Sequence, residues 1–426
     1  MSLPDESGAP PHDPESGSGR DPLTEPAGPL HGIRVIDFGR FIAIPYAGVA
    51  LADMGADVIK VEDPDHADDA RRTGPHFLGG ESLYYLSLNW GKRSLAVRLT
   101  KPEGRAIVLD LVASADAVMD NFRPGVMAKL GLDHAALSAV NPRIITCALT
   151  GFGETGTYAA RPGYDYTLQA VAGAMSLTGE PGGPPGKAGV SYVDHSGGLA
   201  AALAVCAAII ARDRSGVGRH VDLGLVDTQI SMLSYLAGWT LNAGMTLERT
   251  AHAAHQSLVP AQNFATRDGW VSVFVGNDPA WNRLTTVLVS EQLRDARYAR
   301  NEGRLEHRDE LIALLAVEFA TLPTLEWVNE LMAAGVPCAP VNSVADALAS
   351  PPVRERHLVE SAHNDRYGEY QHAAGPIPAL GGAGLVGGPP LGNDSVAVLR
   401  DIGYSASAID RLIADGTVVT APPSRG

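Results

Sequence analysis

Arg34-Val35-Ile36-Asp37-Phe38 is followed by an apolar segment over 45–54 and then by Asp57-Val58-Ile59-Lys60-Val61. The two β-branched runs read as strands. Pro45 suits the first turn of a helix, where the N–H it lacks is not needed. Strand, helix, strand at this spacing predicts a β–α–β unit with parallel strands. The pattern then repeats: a helix is expected over 102–113 and a strand over 117–119. After the break at Asn141-Pro142 another strand is expected over 143–148. These strands are apolar on both faces, as parallel strands covered by helices on two sides should be. The expected fold class is α/β, with a mostly parallel, Rossmann-like sheet. The glycine fingerprint of a dinucleotide site is missing, because the stretch from Asp37 to Ile44 holds one glycine where three are needed.

Further along, helices are expected over 197–211 and 227–241, and strands over 221–225 and 270–275. Helices over 278–289, 307–319 and 324–334 then suggest a separate, smaller α+β unit. Four parts are expected. A disordered arm, 1–28, is rich in Pro, Gly, Ser and acidic residues, and lacks the basic start and apolar run of a secretory signal. A large domain follows over 29–225, a small domain over 226–350, and a return to the large domain over 351–426. In that return, residues 375–392 are dense in Gly and Pro and read as irregular.

With 45% hydrophobic and 19% charged residues, the 426-residue chain has the composition of a globular protein. A net charge of −15 argues against nucleic acid and anionic membranes as partners. The apolar run over 199–210 is shorter than a bilayer span. A cytoplasmic location is the expectation. Cys147, Cys206 and Cys338 are far apart and in apolar surroundings, so they read as buried thiols, and no metal-ligand spacing occurs.

One aspartate stands out. Asp194, in Ser191-Tyr192-Val193-Asp194-His195-Ser196-Gly197-Gly198, directly precedes the apolar run and reads first as a helix N-cap. The same place suits a covalent nucleophile. Glycines leave room for close approach, and a helix N-terminus supplies N–H donors to a developing oxyanion. An aspartate is ionised at neutral pH without an activating base, and carboxylates act as nucleophiles. His195 reads as a wall of the site.

The chain from Leu30 to about Val418 resembles the class III CoA-transferases (the CaiB/BaiF family), which include α-methylacyl-CoA racemase. The match rests on Leu30-His-Gly-Ile-Arg-Val-Ile-Asp-Phe38, Leu51-Ala-Asp-Met-Gly-Ala-Asp-Val-Ile-Lys-Val-Glu62, Asn89-Trp-Gly-Lys-Arg-Ser94 and Asp120-Asn-Phe-Arg-Pro-Gly125. It continues in Arg161-Pro-Gly-Tyr-Asp165, Ser215-Gly-Val-Gly-Arg-His-Val-Asp222 and Ala333-Ala-Gly-Val-Pro-Cys-Ala-Pro-Val341. The resemblance implies two interlocked chains forming a homodimer, no prosthetic group, and coenzyme A thioester as substrate. An acyl-CoA donor and a carboxylic acid acceptor would be its partners. Asp194 would pass through an aspartyl anhydride and an aspartyl-CoA thioester. CoA would lie against Phe41, Ile42, Ala43, Val97, Leu99, Thr100, Asn121, Phe122, Arg123, Lys129 and Tyr164. Arg93, Arg123 and Lys129 are the candidates for its phosphates. Asp63 and Thr100 depart from the pattern, standing where some members carry Arg and Lys.

The racemases of this family place a His in a Gly-His-Asp motif, whereas this chain reads Gly163-Tyr164-Asp165. A phenol is a poor base near neutral pH, so the substitution points to transfer and away from racemisation. A non-catalytic CoA-binding homologue is the remaining alternative.

Overall fold

The computed structural model describes residues 28–377 and 386–422. The arm expected over 1–28 lies outside them except for Gly28, and so does the middle of the 375–392 segment. In chain order the large sheet and its helices are β1 (Arg34–Asp37), α1 (Ala43–Asp53), β2 (Asp57–Glu62), β3 (Arg93–Val97), α2 (Pro102–Val112), β4 (Ala117–Asp120), β5 (Ile145–Thr150), α3 (Asp165–Val171), α4 (Tyr192–Ser215) and β6 (His220–Gly224). The first β–α–β unit falls where the β-branched runs and Pro45 put it. β3 was missed by sequence reading, which took its residues only as motif.

The sheet runs Val418–Val419, β3, β2, β1, β4, β5, β6. β1 to β6 are parallel, and the terminal strand lies antiparallel on β3. Strand order reverses between β1 and β4. In open sheets of this kind a ligand crevice forms at that reversal, outside the carboxyl ends of the strands.

Successive residues of a strand face opposite sides of a sheet. Val35 accordingly joins the core under α1 and α4, while Ile36 joins the core formed by Ile107, Val108, Leu111 and the helix Ser395–Asp401. Gly198 brings α4 onto α1, since a Cβ there would lie 2.4 Å from the carbonyl oxygen of Ala43.

α4 corrects two expectations. It starts at Tyr192, five residues before Gly197, and runs for 24 residues. Its length and apolarity would suffice to cross a membrane, unlike the 199–210 run considered alone. Its buried face is engaged within the protein, where Val193, Ala201, Val205 and Ala208 pack in the core. The helix expected over 227–241 is two helices, Leu225–Met232 and Ser234–Ala243, broken where Ser234 takes a φ of 45°.

A second core surrounds an antiparallel sheet of Cys338–Pro340, Trp270–Phe274 and Ala261–Ala265. Trp281, Phe319 and Trp327 fill it from the helices Asp278–Val287, Arg308–Phe319 and Thr324–Ala333. A hairpin of Val359–Asn364 and Gly368–Ala373, also unforeseen, covers Tyr85 and Leu86. The chain then rejoins the large sheet. Asp394 accepts the Ser94 N–H at 2.8 Å, Ser395 accepts the Ala96 N–H at 3.1 Å, and the Arg98 N–H donates to the Thr417 carbonyl at 2.9 Å. Cys147 is buried, while Cys206 and Cys338 are only partly so.

Candidate active site

The loops leaving β1 and β4 meet at the strand-order reversal. Asn121 joins them as a second peptide would: its Oδ1 accepts the Arg40 N–H and its Nδ2 donates to the Arg40 carbonyl, both at 2.9 Å. Phe38 and Phe122 pack behind this bridge, with ring centroids 6.4 Å apart. Phe41, in the left-handed region at φ 57°, turns the chain into α1. Such a φ is costly for an aromatic residue and is held only where the surroundings fix it. The N–H groups of Ile42, Ala43 and Ile44 have no hydrogen-bond partner among the described residues, as expected for a helix start. Ile42 and Ala43 border a cleft of about 260 Å³ lined by Arg40 to Ala43, Asp69, Asn121 to Pro124, Leu149 to Gly151, Ala159, Arg161 to Tyr164, Asp194 and Leu225.

Asp194 lies on that cleft in the first turn of α4, as the third helical residue. It is therefore not the N-cap. Ser191 holds the cap position without a side-chain bond, and capping is done from a distance by Asp165. Asp165 Oδ1 accepts the Val193 N–H at 2.9 Å, while Oδ2 takes Gln169 Nε2 at 2.8 Å and faces Lys187 Nζ at 3.5 Å. Gln169 in turn accepts the Ala188 N–H at 3.0 Å, fixing the approach to α4. With the capping task taken over, the Asp194 carboxylate has no hydrogen bond among the described residues.

Its surroundings hold the Asp194 carboxyl well above the ordinary aspartate range, at about 7. Burial is the main cause. The negative charge of Asp165 adds to it, and Lys187 opposes it. The expectation of a fully ionised carboxylate at neutral pH is thus corrected: near pH 7 the acid and its anion are both present. His195 faces the start of its own helix, with Nδ1 2.7 Å from the Ser191 carbonyl and the ring against Tyr46, centroids 4.6 Å apart.

A family model described as CoA-transferase family III matches residues 30–395. The chain belongs to that family. It is 43% identical to succinate–glutarate CoA-transferase of Agrobacterium fabrum, over 78% of this chain and 84% of that one. It is 34% identical to human succinyl-CoA:glutarate CoA-transferase, over 92% and 90%. Against acetyl-CoA:oxalate CoA-transferase of Acetobacter aceti the figure is 36%, over 79% and 86%. A CaiB/BaiF family protein from Brucella suis has a similar solved structure, with TM-score 0.79 and 36% identity over 88% of this chain and all of that one.

CoA-transferases of this family act on CoA thioesters, and the residues expected to hold CoA divide into three groups. Phe41, Ile42, Ala43, Asn121, Phe122, Arg123 and Tyr164 line the Asp194 cleft. Leu99 and Thr100 line an adjoining groove of about 370 Å³ with Val61, Asp63, His66, Phe122 and Arg123. Val97 and Lys129 line neither. Val97 is wholly buried inside β3, and Lys129 is exposed on the short helix Val126–Leu130. Arg93 is corrected as a phosphate candidate. It starts β3, at the opposite end from the crevice, and is ion-paired with Asp57 and Asp401. Asp63 spans the ends of β2 and β3 by accepting the Leu99 N–H at 3.1 Å. Sequence reading missed Arg161, Asp165, Gln169 and Lys187. Asp165 and Arg161 stood inside a quoted motif but carried no signal of their partners. Among the described residues no group of His, Cys, Asp and Glu is placed to hold a metal.

Proposed function

We propose that this enzyme transfers CoA from an acyl-CoA donor to a carboxylic acid through covalent intermediates on Asp194. The observation that carries the proposal is a carboxylate without hydrogen bonds, set in a cleft that also holds the unpaired N–H groups opening α1. An Asp194 oxygen attacks the thioester carbon, the C–S bond breaks, and CoA leaves as thiolate with a mixed anhydride left on the enzyme. The thiolate attacks the aspartyl carbon, which expels the donor's carboxylate and leaves an aspartyl-CoA thioester. The acceptor carboxylate attacks that thioester and re-forms an anhydride and free thiolate. Attack of the thiolate on the acceptor's acyl carbon releases the new acyl-CoA and restores Asp194. No net proton is moved. Each step develops negative charge on a carbonyl oxygen, and the Ile42 and Ala43 N–H groups are the donors we assign to it.

CoA is placed with its thioester end at Phe41–Ala43 and Tyr164 and its nucleotide end toward Leu99 and Thr100. Arg123 and Arg161 line the same cleft with no carboxylate within ion-pair range among the described residues. Arginines without a carboxylate partner, Arg161 being stacked 3.9 Å from the Tyr158 ring centroid, suit the phosphates of CoA and the second carboxylate of a diacid. That feature, with the names of the relatives, puts succinyl-CoA and C2–C5 diacids first among candidate substrates. The test is a transfer assay with succinyl-CoA and acetyl-CoA against a panel including glutarate and oxalate. Hydroxylamine-sensitive CoA on Asp194 is the expected intermediate. A folded enzyme that transfers with no pair, or only exchanges the α-proton of an acyl-CoA, sinks the reading.

We further infer a homodimer. Leu199, Leu203 and Ile210 are exposed along α4, and Ile230, Met232, Tyr235 and Leu241 along the two helices that follow. The helix Ser234–Ala243 has no buried residue at all. An apolar face of this extent calls for cover, and a second copy of the chain is the occupant we assign. Sedimentation at micromolar concentration should give twice the chain mass of 44.6 kDa. The separate core around Trp281, Phe319 and Trp327 supports a small domain over 226–350, which limited proteolysis would test.

A further inference from the structure

The turn that carries Phe41 into the cleft is gripped from below by buried charges. Asp37 Oδ1 accepts the Gly39 N–H at 2.6 Å, and Lys60 Nζ donates to the Gly39 carbonyl at 2.5 Å. Asp68 Oδ1 accepts the Phe41 N–H at 3.0 Å and the Ala70 N–H at 3.0 Å. Asp68 Oδ2 makes no hydrogen bond and faces only the Lys60 ammonium, at 3.1 Å. Both side chains are almost wholly inaccessible. Lys92, equally buried, ties Asp37 at 2.8 Å to the Pro45 carbonyl of α1, also at 2.8 Å. Together with Asn121 on Arg40, these groups engage the backbone polar atoms from the Gly39 amide to the Phe41 amide. The next amides, of Ile42 and Ala43, are the first left open.

Burying an ion pair is a weak route to stability, because desolvation offsets most of the attraction. A pair kept there at such cost fits a role in geometry. We propose that Asp68, held by Lys60, is a positioning residue for CoA: its bond to the Phe41 amide fixes Phe41 at positive φ and so aims the Ile42 and Ala43 amides into the cleft. The claim rests on the cleft being the CoA site, but not on transfer taking place there.

The test is a mutant cycle read by calorimetric titration of the full-length protein with CoA. Asp68→Ala is made in a Lys60→Met background, so that no buried cation is left unpaired. It should weaken CoA binding about tenfold, the size expected when one strained φ loses its support. Thermal unfolding of the double variant serves as the check on folding. Glycine adopts positive φ freely. In a chain already carrying Phe41→Gly, the same pair of changes should therefore alter CoA affinity less than twofold. A merely structural role for Asp68 would weaken binding equally in both backgrounds, and that result overturns the proposal. So does a folded double variant that binds CoA as tightly as the parent. If the parent binds CoA but transfers it to no acid, the transferase reading fails, and the CoA affinities still decide this one.

Discussion

Asp165 accepts the Val193 N–H at 2.9 Å, so a carboxylate 28 positions upstream caps the helix whose next residue is Asp194. Two carboxylates thus share one helix start with divided tasks. The capping one is hydrogen-bonded to Val193 and Gln169. The other has no such bonds, and burial makes its charge unfavourable. The arrangement leaves Asp194 available for covalent chemistry.

Replacement of Asp194 by Asn should abolish CoA transfer, by at least about a thousandfold, because Asp69, the other carboxylate lining the cleft, is ion-paired with Arg72 and stands on a different element. Stability should move the other way. The folded value of about 7 lies above the 3.8 of an unperturbed aspartate, so the wild-type protein loses stability as pH rises from 3.8 through 7. The Asn variant escapes that loss. Its melting temperature should exceed wild type at pH 8, and the gap should close toward pH 4. A variant less stable at pH 8 than at pH 4, relative to wild type, contradicts this.

The acid limb of kcat/KM should rise with pH through an apparent value near 7, since in the proposed mechanism only ionised Asp194 attacks the thioester. Lys187→Met removes the charge that favours the anion and should move the limb to higher pH. Asp165→Asn keeps an acceptor for Val193, removes the opposing charge and should move it to lower pH. Shifts of the same sign in the two variants would show that the limb does not report Asp194.

Gly198→Ala should destabilise the protein by about 1–3 kcal/mol in urea unfolding, the range for overpacking in a close helix contact. The obstacle is the Ala43 carbonyl oxygen, 2.4 Å from the added carbon, which as helical backbone has little freedom to withdraw. Because Ala43 and Asp194 stand on the two helices forced apart, kcat should fall further than stability alone explains. Unchanged unfolding would mean that α1 and α4 separate more easily than their packing implies.

Asn121→Ala severs the only side-chain link, among the described residues, that bonds both backbone polar atoms of Arg40. The KM for acyl-CoA should rise roughly tenfold, from two lost hydrogen bonds of ordinary strength. Asn121→Asp retains the bond from Arg40 N–H but places a carboxylate oxygen against a carbonyl, and should be no better. A normal KM in either variant argues that the β1 and β4 loops hold their positions independently.

The sheet was legible because β-branched runs and Pro45 report local preferences that the tertiary fold does not override. Asp194 was legible as a site residue through its glycines and motif, but its helical position was not. The run of small and apolar residues put the helix start at Gly197, whereas the start is set at Tyr192 with help from Asp165, a partner distant in sequence. Arg93 misled for a related reason. A basic residue beside a strand says nothing about which end of that strand it occupies, and parallel register puts Arg93 opposite Ile59, at the far end from the crevice. Pairing of Val418–Val419 with β3 could not be read at all, since two residues carry no periodicity.

That terminal strand also bears on how the protein comes to exist on the ribosome. Thr417 bonds Arg98, just before the groove residues Leu99 and Thr100, and Val418 pairs with Val97. The strand that leads into the groove therefore waits for a neighbour made some three hundred positions later. β1, α1 and β2 can assemble early from nearby sequence, but the edge at β3 stays open until Val418 and Val419 have been made. A chain cut short before residue 417 would carry Asp194 and every amide beside it, yet leave β3, the strand that leads to Leu99 and Thr100, with one edge unpaired.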